Sequence, residues 1–283
     1  MPEAIDATGR RWRRLAIEQQ PQPFVKPLHC AGCVTPVVPV HGYVTRFGTS
    51  VAPLYRLTDR EASPHEPGCI YDFDAQGGRI VTENRPLVRR DDDVYELQLP
   101  TLPTTLEGER NARPVSGPRS RLQIGHPRGL TLDPVIKAAT AIVRLLRRFE
   151  NNPAARAKFR ARYGQRVFTW SEFCFDAGHD VKRLVQEIGV DPERPYAVVG
   201  TVKDTGAAAA GSSYLLQLDT RIPVRTGDGE RVQVFVRAHD QDRLSGAIGD
   251  TVACYGRWSL FTPPRGGVWA TLWTDELGAV ATV

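Results

Sequence analysis

At 283 residues with 41% apolar side chains, the chain can bury real cores and is long enough for about two domains. A net charge of +5 permits an acidic or nucleic-acid partner. RRWRR at 10–14 has no apolar run behind it, and no stretch reaches the roughly 20 apolar residues of a membrane span; neither a secretory signal nor a membrane partner is expected, and a cytoplasmic protein is.

Residues 1–23 read as a basic N-terminal tail, and residues 24–99 as a β-rich module. Five cysteines, an odd number, argue against a disulfide framework. Cys174 and Cys254 stand alone in apolar surroundings and read as buried small hydrophobes. The other three fall into two closely spaced pairs with a histidine: Cys30 and Cys33 in HCAGC, His65 and Cys69 in SPHEPGC. Zinc takes four tetrahedral thiolate and imidazole ligands, usually delivered as two such pairs, so Cys30, Cys33, His65 and Cys69 are the expected ligands of a structural Zn²⁺. Four good ligands would close the sphere and leave no open position for catalysis. Gly32 and Gly68 let the backbone turn tightly around a metal. His29 and His41 are alternative ligands, and unrelated thiols beside a surface histidine are the plainer reading. The 31 residues between the pairs read as short strands with a turn near His41-Gly42.

Residues 24–75 resemble the zinc-binding segment of CoiA-like competence proteins, on the Cys-x2-Cys followed by a histidine–cysteine element. The resemblance implies a metal site; the nuclease segment of that family has no counterpart here, so it implies no activity.

Residues 70–99 continue as strand-like pieces, with a turn at Gly77-Gly78, a charged loop at Arg89 to Asp93, and VYELQL alternating between two faces. Residues 100–131, with five prolines and little apolar periodicity, read as a long flexible loop. Residues 132–192 read as a basic helical segment. Asp133-Pro134 starts a helix whose apolar face is Val135, Ala139, Ile142, Leu146 and Phe149. A second helix is expected over AARAKFRARYG, and a third with Val181, Leu184, Val185 and Ile188 facing a core. From Lys137 to Arg166 nine basic residues face a single acid, Glu150. A run so lacking in acids favours an anionic partner, with Arg144, Arg147, Arg148, Arg156, Lys158, Arg160 and Arg162 as candidate phosphate contacts; a merely solvated face is the alternative.

Residues 193–283 read as five strands with a short helical connection between the third and fourth, the order of elements in an OB-fold, and GDTVACYGRWSL is similar to the turn into the fourth strand of such barrels. The fold expected overall is α+β: a β-rich zinc-binding module, a central helical segment and a C-terminal five-stranded OB-like barrel. Alternation points Val198, Val202, Tyr214, Leu216, Leu218, Val232, Val234, Val236, Val252, Cys254, Val268, Ala270 and Leu272 inward. The opposite parity carries Lys203, Phe235, Arg237, Tyr255, Arg257, Trp269 and Trp273. Rings interleaved with cations suit single-stranded nucleic acid, because bases stack on rings while cations track phosphates; the competing reading is that helices of the protein cover these rings.

Three functions compete. The first is a non-catalytic nucleic-acid-binding protein, taking single-stranded DNA in preference to RNA. The second is an adaptor holding a protein partner in a bacterial DNA-processing or defence system. The third is a metal-dependent nuclease, and it is the weakest: Asp72, Asp74, Glu83 and Asp91 to Asp93 follow no recognisable spacing, and there is no P-loop, dinucleotide fingerprint or nucleophile elbow.

Overall fold

The computed structural model describes residues 1–44, 46, 50–100, 133–150, 152–207, 213–220, 231–264, 266–274 and 278–283. The Pro-rich segment expected to be a long loop lies outside them. The fold is α+β with few helices, and the contacts divide it into two compact units. The first comprises residues 1–85, 90–95 and 141–158; the second comprises 86–89, 96–140 and 159–283. Among the described residues, no helix is long and apolar enough to cross a membrane.

The first unit is built on a five-stranded sheet ordered Arg11–Arg13, Glu3–Ile5, Leu28–Cys30, Pro36–Val40, Leu54–Leu57. The N-terminal residues are therefore structural rather than a tail: Ala4 pairs with Cys30 and is fully buried, and the following turn buries Ile17. Asp6 organises this corner, accepting from the Thr8 hydroxyl, the Trp12 indole and the Arg10 amide. These donors hold its carboxyl far below the usual carboxylate range despite burial.

Residues 70–99 depart from the strand reading, because Phe73–Glu83 is a helix. Asp72 caps it, accepting from the Ala75 amide at 3.1 Å. The two glycines are not a turn: a Cβ on Gly77 would lie 2.4 Å from Cζ of Tyr95, so glycine there permits the helix to sit against that ring. The charged loop is a turn between strands Val88–Asp91 and Val94–Leu99, with Asp92 at a φ of 52°.

The helix Asp133–Arg148 forms as expected, with Val135, Ala139, Ile142 and Leu146 buried. The second expected helix is cut to Pro153–Ala157, and the chain then runs extended through Phe159–Tyr163 and Arg166–Thr169 as a hairpin. Phe159 and Ala161 are buried while Arg160 and Arg162 point to the other face, so period-two burial overrides the helical propensity of this Ala- and Arg-rich stretch. The third helix, Val181–Val190, buries Val181, Leu184 and Ile188.

In the second unit five strands close a barrel: Pro195–Ala207, Tyr214–Leu218, Val232–Ala238, Thr251–Phe261 and Val268–Trp273. The first pairs with the second, the second with the third, the third runs parallel to the fifth, the fifth pairs with the fourth, and the fourth returns to the first. This is the closed order of an OB-like barrel. A 3-10 turn, Gln241–Arg243, occupies the expected helical connection. Cys174–Asp176 lies parallel to the first strand and Gly278–Thr282 antiparallel to the fourth.

Val198, Val202, Leu216, Leu218, Val232, Val234, Val236, Val252, Cys254, Ala270 and Leu272 fill the core together with Val181, Leu184 and Ile188 of the helix. Tyr214, expected inside, is 37% exposed. Trp258 enters the same core, its indole donating to the Tyr196 carbonyl at 3.1 Å. Gly200 is required by close packing: a Cβ there would meet Cβ of Ala177 at 2.9 Å and of Leu218 at 3.2 Å.

Candidate metal centre and barrel cleft

Cys30 ends the strand Leu28–Cys30, and Cys33 follows in the turn, whose Cys33 amide donates to the Cys30 carbonyl. His65 and Cys69 come from the loop before the helix Phe73–Glu83, tightened by Gly68 at a φ of 84° and by the Cys69 amide donating to the Glu66 carbonyl. The Thr35 hydroxyl donates to the Pro64 carbonyl at 3.0 Å and ties the two loops together. Gly32 lets them meet, since a Cβ there would lie 2.9 Å from Ile70 Cγ1 and 3.1 Å from Cys69 Sγ.

One ligand atom from each of Cys30, Cys33, His65 and Cys69 lies within 4.8 Å of the others, close enough to hold one metal ion. Cys30 Sγ is 3.7 Å from Cys69 Sγ, and Cys33 Sγ is 3.4 Å from His65 Nδ1. Zn–S bonds near 2.3 Å and Zn–N bonds near 2.1 Å in a tetrahedron separate two sulfurs by about 3.8 Å and a sulfur from a nitrogen by about 3.6 Å. The donor set and its spacing are consistent with zinc.

The amides of Gly32 and Tyr71 each donate to a cysteine sulfur, of Cys30 and Cys69 respectively, at 3.4 Å, an arrangement that suits thiolates. Burial pushes the Cys30 thiol up to about 12 and raises that of Cys69. Burial opposes ionisation of Cys33 as well, but its hydrogen bonds with Thr35 and His65 outweigh it and lower the thiol. Neither alternative histidine joins the cluster: His41 is exposed and pairs with Glu18 at 3.5 Å, and His29 lies beside Cys30 on the strand, outside the four. Cys174 and Cys254 are buried and in no disulfide, as their surroundings predict.

The outward parity of the barrel divides into two groups. Phe235, Arg237, Trp269 and Trp273 come together because the third and fifth strands run parallel in register, Arg237 opposite Trp273. The Arg237 guanidinium carbon stands 5.9 Å from the Phe235 ring centre, 5.7 Å from Trp269 and 5.8 Å from Trp273. Arg237, Trp269 and Trp273 line an open cleft of about 310 Å³ with Ser259, Leu260, Phe261 and Thr271. Arg237 Nε is buried without a hydrogen-bond partner, and no acid pairs with the guanidinium among the described residues.

Tyr255 is a correction. It is fully buried, with its ring 6.0 Å from that of Phe173 on the short helix Trp170–Phe173, and it offers no stacking face. Phe235 is likewise largely covered at 7% exposure, packed edge-on against Trp269. Arg257 is held by the Glu193 carbonyl and carboxylate, and Lys203 is exposed but outside the cleft. Phe261 is the aromatic cleft residue the sequence reading passed over, along with Ser259, Leu260 and Thr271; continuing the parity of Tyr255 and Arg257 two steps along the same strand reaches it.

The basic run is balanced in part by acids distant in sequence. Arg160 and Arg162 both pair with the buried Glu96 at 2.7 Å, the Arg162 hydrogen bond holding its carboxyl below the ordinary value. Lys158 pairs with Asp74, and Arg148 donates to the Ile70 carbonyl. Arg144 is exposed, while Arg147 and Arg156 are half-buried. No protein-family model matches the chain, and no curated protein matches it.

Proposed function

We propose that the protein is a non-catalytic binder of single-stranded DNA that uses the barrel cleft, with a structural Zn²⁺ held by Cys30, Cys33, His65 and Cys69. The observation that carries this reading is Arg237: a guanidinium ringed by Phe235, Trp269 and Trp273, its Nε unpartnered, at an open cleft. A buried guanidinium N–H left without an acceptor is costly unless a ligand supplies one, and a phosphate oxygen does. Rings beside it offer stacking surfaces, and Ser259 and Thr271 add small polar groups. A phosphodiester on Arg237 with a base against Trp269 or Phe261 meets each requirement. The metal would act by folding the first unit, since four protein ligands leave no position for a substrate.

A second reading, a protein partner, draws on Leu260 and Phe261, which are 38% and 51% exposed at the cleft wall. Fluorescence-anisotropy titration with single- and double-stranded oligonucleotides separates the two. The DNA reading requires tight single-strand binding that weakens in Trp269→Ala. An adaptor binds neither oligonucleotide.

A further inference from the structure

The first unit holds a second cleft, of about 300 Å³, which neither the metal nor the barrel reading uses. One wall is aromatic: Phe149 meets Tyr71 and Phe73 edge-on, with ring centres 6.2 and 5.2 Å apart. Over Phe73 stands Lys158, its Nζ 5.3 Å from the ring centre. Lys158 and Arg60 share one carboxylate, Asp74, at 3.0 and 2.7 Å. Burial works against ionisation of Asp74, but its bond with Lys158 and the charge of Arg60 outweigh it and keep the carboxyl ionised. Both cations carry more N–H donors than this one acceptor takes up.

His65 also lines the cleft. Its Nδ1 is the atom directed at Cys33, so Nε2 is the nitrogen left over, and a ligating imidazole ordinarily donates from that second nitrogen to an acceptor. Among the described residues no such acceptor is found. The remaining acid of the lining, Asp72, is occupied in capping the helix Phe73–Glu83. Two bases against two acids make the lining electrically balanced, which suits a single phosphate in the cleft rather than a run of them. An aromatic wall with a few converging donors suits a planar ring that carries one small anion.

We propose that this cleft binds a nucleoside monophosphate group, the base against Phe73 and Phe149 and the phosphate on Lys158, Arg60 and His65 Nε2–H. The group is the same whether it belongs to a free nucleotide or to the 5′-phosphorylated end of a strand. This site is separate from the barrel cleft, and the test keeps the two apart.

Isothermal titration of the full chain with its metal bound uses adenosine 5′-monophosphate, adenosine, and one short oligonucleotide with either a 5′-phosphate or a 5′-hydroxyl. The monophosphate should bind saturably, adenosine about tenfold more weakly. Lys158→Gln should weaken the monophosphate by about tenfold with metal content and melting temperature unchanged, whereas Trp269→Ala should leave it alone. If Lys158→Gln does not fold, Arg60→Gln, whose side chain is 79% exposed, carries the same test. In the Trp269→Ala background, preference for the 5′-phosphorylated strand over the free nucleotide assigns the site to strand ends, and the reverse preference to free nucleotides. No saturable binding of the monophosphate, or binding that Trp269→Ala abolishes and Lys158→Gln leaves untouched, overturns the proposal.

Discussion

Cys30 Sγ and Cys69 Sγ stand 3.7 Å apart although the two residues lie 39 positions apart in the chain, and both side chains are buried. Without a cation, two buried thiols and their hydrogen-bonded neighbours gain little from this proximity; with one, the spacing is a tetrahedral edge. Cys69→Ser should therefore lose the metal and unfold the first unit, and a chelator should do the same to the wild type. Elemental analysis alongside thermal melts checks both, with about one zinc per chain expected before chelation. Carefully prepared protein without metal but with an unchanged melt would remove the metal from the account.

Gly32 is held to glycine by sterics, not by φ. Its Cβ would press on Ile70, Cys69 and Tyr71 at 2.9 to 3.1 Å. Gly32→Ala should weaken the first unit by about 1–3 kcal/mol through overpacking and lower metal retention, read from denaturant melts and a competitive chelator titration.

Trp258 and Phe261 lie three residues apart on one strand but have opposite fates. Trp258 is 2% exposed in the barrel core, and Phe261 is 51% exposed at the cleft. Trp258→Ala should cost about 3–5 kcal/mol in urea unfolding. Phe261→Ala should cost less than about 1 kcal/mol yet weaken oligonucleotide binding.

Glu96 gives the second unit an acid-sensitive element. Its carboxyl is held below the ordinary 4.5, first by the Arg162 hydrogen bond and further by Gln98 and Arg160. A depressed carboxylate contributes stability above its unfolded value, and that contribution fades as pH falls through the folded value. Wild-type stability should thus drop below about pH 4.5, and Glu96→Gln should flatten that limb while costing about 1–3 kcal/mol at neutral pH. Melts of both proteins across the acid range report it; parallel curves would remove Glu96 from the acid response.

The sequence made the barrel and the metal cluster legible because each rests on a local signal. Alternation along Val232–Ala238 and Val268–Trp273 sorts inside from outside, and Cys30, Cys33, His65 and Cys69 carry their chemistry in their spacing. What stayed hidden depends on partners far along the chain. Nothing near Tyr255 announces that Phe173 covers it, and nothing near Arg160 and Arg162 announces Glu96. The helix Phe73–Glu83 was obscured by Gly77, whose reason is the distant Tyr95 ring, although Asp72 supplied a readable cap.

The salt dependence of single-strand binding in wild type and Arg237→Gln tests the central claim most directly. Each phosphate neutralised contributes about 0.7 to the slope of log affinity against log salt. If Arg237 holds a phosphate, the variant should bind more weakly and its slope should be shallower by about 0.7. Equal slopes and equal affinities in the two proteins would contradict the account.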